Sequence, residues 1–172
     1  MPIVPDEKDW TWVLSRPCPE CNFDSSTATP STVPGSIESM IPRWLAVLRR
    51  PDAADRPDDQ TWSAVEYACH VRDVFTLFVQ RLNLMLTEDG ARFADWDQDL
   101  TAIEQDYANA DPSAVGPELA AEGHEAAESF ARVREEDWGR RGLRSNGSEF
   151  TVLTLSRYFL HDVVHHLHDV DG

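Results

Sequence analysis

The chain has 172 residues, enough for one domain with its own core. With 41 % hydrophobic and 27 % charged residues it has the make-up of a globular protein, not of a disordered or fibrous one. A formal net charge of −16 excludes a surface built for nucleic acid or anionic membrane, because no basic face dominates to displace phosphate counterions.

Residues 1–35 lack helical periodicity and are rich in Pro, Ser and Thr, yet hold Trp10, Trp12 and Phe23. Those rings are too apolar to leave in water, so the segment is expected to be an arm packed on the body. A first helix is expected from about Ser36, where Ile37, Met40, Ile41, Trp44, Leu45, Val47 and Leu48 follow a 3.6-residue period. Pro51 and the acidic run 52–59 end it. The second helix has the clearest start, the capping box of Ser63 and Glu66. It runs to about Leu86 before Asp89-Gly90.

A short helix fits 98–109. Asp111-Pro112-Ser113 opens a third long helix that reaches about Glu136, with Pro117 in or near its first turn. Residues 138–150 form a turn-rich connection around Asn146-Gly147. The fourth long helix covers 151–170. No strand is required. Four long amphipathic helices predict an all-α four-helix bundle over 36–172, a fold that builds metal sites in its core from facing helices.

The chemistry concentrates in the fourth helix. Four of the six histidines are His161, His165, His166 and His168. Residues four apart stack on one helical face, so His161 and His165 are placed to share a divalent ion. His70 in the second helix is the candidate third ligand; three protein ligands leave a position open for chemistry. At ~100° per residue, His168 shares the face of His161 and His165, and Asp169 lies one turn beyond His165. A site of His165, His168 or Asp169 with His70 therefore stays open. His166, turned aside, is expected outside the ligand set.

Cys18-Pro19-Glu20-Cys21 has no second C-x-x-C to complete a zinc knuckle and reads as an ordered turn in the arm. Cys69 reads as a small core residue. An odd count of three cysteines argues against a disulfide scaffold and for a reducing, cytoplasmic setting. No apolar run approaches the ~20 residues of a membrane span, and the first eight residues lack the features of a secretory leader. Arg141, Arg144 and Arg157 are expected mainly to balance the acidic surface, with contact to an anionic substrate as the sharper alternative.

Trp62, Ser63, Glu66 and His70 resemble the second-helix motif of the DinB superfamily, and Tyr158 through His166 resembles its fourth-helix H-x-x-x-H motif. The resemblance covers about Ser36 to Val170. It implies a metal-binding four-helix bundle with His70, His161 and His165 as ligands. It also implies a divalent metal, zinc or nickel, that activates water or a low-molecular-weight thiol of the mycothiol type. The superfamily includes mycothiol-dependent maleylpyruvate isomerases and bacillithiol and mycothiol S-transferases. The expected activity is therefore thiol transfer to a small electrophile, or thiol-assisted isomerisation, by a monomer or homodimer. The competing reading is a bundle that binds metal or a small ligand without turnover.

Overall fold

A computed structural model of the chain describes Ile3 and residues 8–172. Residues 1, 2 and 4–7, on which the reading of a leaderless start rests, lie outside the described residues.

Helix α1 spans Val33–Leu48 and begins ahead of Ser36, because Pro34 sits in its first turn, where a missing N–H costs no hydrogen bond. Helix α2 spans Ala64–Thr87 and starts at the expected capping box. Glu66 Oε2 accepts from the Ser63 amide at 2.8 Å, and the Ser63 hydroxyl accepts from the Glu66 amide at 3.4 Å. Glu66 is 2 % exposed and also accepts from Arg56 Nε at 2.9 Å, so the cap is tied to the α1–α2 connection. The expected helix at 98–109 divides into α3, Gln98–Glu104, and a 3₁₀ turn at Tyr107–Asn109, with Asp106 at φ 53° between them.

Helix α4 spans Pro112–Ala131 and is capped by Asp111. Pro117 lies inside it, and it ends short of Glu136, in a connection that includes a 3₁₀ turn at Glu135–Asp137. Helix α5 spans Val152–Asp169 behind its Thr151 cap. The long helices α1, α2, α4 and α5 form a four-helix bundle in which α4 and α5 each pack on both α1 and α2. Its centre is aromatic: Phe159 stacks on Phe78 at 5.1 Å and on Phe130 at 5.8 Å, and Trp44 and Phe75 are fully buried. Each such ring contributes roughly 1.5–3 kcal/mol through burial.

The expectation of no strands needs correction. Strands β1 (Ala91–Phe93), β2 (Arg141–Arg144) and β3 (Glu149–Thr151) form one small sheet. Ala91 pairs with Gly142 in parallel, and Gly142 with Phe150 antiparallel. Strands this short carry too few alternations for a period of two to show. The Asn146-Gly147 turn, visible in the sequence, closes the β2–β3 hairpin with Gly147 at φ 95°. Gly142 is required by space: a Cβ there would meet Met85 Sδ at 2.6 Å, so glycine lets the sheet lie on the end of α2.

The described arm holds 3₁₀ turns at Trp10–Leu14 and Ser25–Thr27, both against α5. Val13 is fully buried, and Arg157 Nε donates to the Ala28 carbonyl at 3.0 Å. No helix among the described residues is long and apolar enough to cross a membrane.

Candidate metal centre and cleft

Helix α5 carries two rows of potential ligands. His161 and His165 form one, with ring centres 5.1 Å apart. Asp162 and His166 form the next, one residue on and ~100° round the axis. The two rows face different neighbours, and this divides the expected triad.

His161 and His165 face the arm. Trp10 lies 5.6 Å and 5.0 Å from their rings, and Phe23 lies 6.0 Å from that of His161. Ligand atoms of Cys18, Cys21, His161 and His165 lie within 4.8 Å of one another. Burial, and next the neighbouring His165, hold the His161 imidazole down at about 4, so it is neutral at ordinary pH. Burial likewise lowers His165.

Asp162 and His166 face α2. There His70, Asp162 and His166 bring ligand atoms within 4.8 Å of one another. Asp162 Oδ2 lies 3.3 Å from His70 Nε2, and its other oxygen lies 3.7 Å from His166 Nε2. The far nitrogen of His166 meets Asp169 at 2.9 Å, the imidazole–carboxylate relation usual behind a metal ligand. His70 is buried, stacked on Trp96 at 5.2 Å, and its Nδ1 has no hydrogen-bond partner. Burial pushes the Asp162 carboxyl up, but His70 and then His166 outweigh it and hold the group at about 2. Two imidazoles and a firmly ionised carboxylate are a donor set that suits a divalent transition metal.

Thus His70 does not join His161 and His165 in one cluster. His166, expected outside, is 4.8 Å from the His70 ring. His168 is exposed, in keeping with its place in the last turn.

The His70 cluster opens into a cleft of about 710 Å³, which His161 and His165 also reach. The cleft runs along the face of α2 that carries His70, Phe78 and Arg81, and along the α5 row of Tyr158, Asp162 and His166. Beyond the cluster it is lined by Arg81 and by Arg144 of β2. Arg81 is 4 % exposed, sits over the Phe93 ring at 4.9 Å, donates to the Ala94 carbonyl at 3.1 Å, and leaves its Nε without a partner. Burial, then the positive charge of Arg144, pulls its pKa down to about 10, which still leaves it charged. Arg144 is held by Asn146 at 3.0 Å and Ser148 at 3.2 Å.

Among the arginines weighed from sequence, Arg141 is paired with Asp89 at the surface and Arg157 holds the arm. Arg81 escaped that reading, although a signal existed. It lies eleven residues after His70, about three turns, and so shares its face.

A family model for the DinB superfamily matches residues 6–170. The chain belongs to the DinB superfamily. The match takes in nearly all of the arm, which the two sequence motifs had left outside. No protein of curated function matches the chain. Among solved structures it is similar to YfiT from Bacillus subtilis, described as a probable metal-dependent hydrolase with an unusual four-helix bundle topology. The TM-score is 0.69 at 18 % identity, over 81 % of this chain and 82 % of that one. At that identity the likeness speaks for the fold.

Proposed function

We propose that the cleft is a metal-dependent active site for a small, elongated anionic substrate. The observation that carries this is a three-donor cluster, His70, Asp162 and His166, at one end of a cleft whose other end holds a buried arginine with an unpartnered Nε. We take this set in place of the one the family motifs imply, because the ligand atoms of His161 and His165 gather with those of Cys18 and Cys21. A divalent ion held there would acidify water or a thiol beside it and polarise a substrate carbonyl or phosphoryl oxygen.

The chain's own groups do the rest. Asp169 orients His166, and Trp96 fixes the His70 ring by stacking. Arg81 and Arg144, the latter with Asp95 3.6 Å from its Nε, offer guanidinium donors that suit a carboxylate or phosphate. Side chains on a helix lean toward its N-terminus, so Arg81 reaches back toward His70. An anionic group there and a reacting bond at the cluster define a substrate several bonds long. A cleft of about 710 Å³ has the size of a small-molecule site.

Hydrolysis, as suggested for YfiT, and the thiol transfer implied by the sequence motifs would use the same groups. The test is to load the protein with zinc, nickel or manganese and offer carboxylate- and phosphate-bearing esters and amides. A second arm offers small electrophiles with mycothiol, bacillithiol or glutathione. Metal-dependent turnover, lost in His70→Ala and His166→Ala, is expected in one arm. Tight ligand binding with no turnover in either arm would make the bundle a binding module and overturn the reading.

A further inference from the structure

The C-x-x-C of the arm takes no part in the cleft chemistry, yet its partners are in place. We propose that Cys18, Cys21, His161 and His165 form a second, structural metal site that takes zinc and fastens the arm to α5. The four residues bring one ligand atom each within 4.8 Å of one another, although Cys18 and His165 are 147 residues apart in the chain.

The details fit ligation. Cys18 is 1 % exposed, reduced, and points its Sγ at His165 Nδ1 at 3.7 Å. The other nitrogen of His165 faces Glu20 at 3.5 Å and Asp169 at 3.8 Å, carboxylates placed to orient a ligating imidazole. His161 is 3 % exposed, and its Nε2 is buried with no hydrogen-bond partner. A buried nitrogen in that state costs stability unless something accepts or donates there. A metal ion resolves it.

Two thiolates with two imidazoles are a tetrahedral zinc donor set, and four protein ligands leave no open position. That closure separates this site from the His70 cluster, which offers three donors and opens on the cleft. Trp10 and Phe23 pack against the histidine rings. The arm's described turns are too short to bury a core of their own, and a metal clip is a usual remedy for such segments.

The test is metal analysis of protein purified without chelator, with cobalt then substituted for the native ion. Thiolate-to-cobalt charge-transfer absorption is expected in the full chain. It should persist in a His70→Ala/His166→Ala double variant and vanish, with one metal equivalent, in Cys18→Ser and Cys21→Ser. Unchanged metal content and spectrum in both cysteine variants would overturn the proposal. Should those variants fail to fold, alkylation of the native chain decides. Cys21, only half-buried, should be protected until a chelator strips the metal, with Cys69 as internal control. Equal Cys21 labelling with and without chelator, or a Cys18–Cys21 disulfide in the fresh protein, would also overturn it. Absence of any metal-dependent turnover in the full chain, with the cobalt–thiolate spectrum present, would count against the cleft reading alone.

Discussion

The two clusters on α5 are one residue apart in sequence and differ in almost everything that decides function. Both rows reach the cleft, but Asp162 and His166 meet His70 there, whereas His161 and His165 meet two cysteines beneath the arm. One set gathers three donors, the other four. On the two proposals made above, the same helix carries a reactive site and a fastening. Residue type alone does not separate them, since histidines serve in both; the packing partners of each row do.

The sharpest break of this comparison is His70→Ala or His166→Ala. Each should abolish cleft metal binding and turnover while leaving the cysteine-bound metal, as read by metal analysis and cobalt spectra. If either variant also empties the cysteine site, the clusters are one coupled centre. Deleting residues 1–30 should remove the second metal and the burial of Val13, and lower the Tm by roughly 5–15 °C for a chain of this size. A truncated protein that melts like the full chain would reduce the arm to a tail.

Arg81→Gln probes the far end of the cleft. It should raise KM for an anionic substrate by roughly tenfold or more, the worth of a charged hydrogen bond, with metal content unchanged. An equal loss for a neutral analogue would show a packing defect instead of anion binding.

Glu66 sharpens the comparison from outside both clusters, because it anchors the start of the helix that carries His70. Burial raises its carboxyl, but Arg56 and the Ser63 cap outweigh this and hold it below the usual carboxylate range. Its folded value lies below the unfolded value of about 4.3. The stabilisation is therefore present above that value and lost as pH falls through the lower folded one. Glu66→Gln should cost about 2 kcal/mol at neutral pH and flatten the acid limb of the stability profile, as read by urea unfolding between pH 3 and 7. An unchanged acid limb would mean that other carboxylates govern it.

By itself the sequence determined the bundle: apolar period, the Ser63–Glu66 box, Asp111-Pro112 and the Asn146-Gly147 turn all act within a few residues and need no tertiary partner. It also placed candidate ligands on α2 and α5, through His70 and the histidines of the last helix. Only the tertiary structure decided which histidine meets which neighbour. Adjacent positions on a helix diverge by ~100°, so a rotation of one residue's worth exchanges the row that faces α2 for the row that faces the arm. Spacing alone fits either. The cysteines show the same limit, for their partners lie far along the chain, and the second half of that ligand set is supplied by imidazoles that the fold, not the local pattern, carries to them.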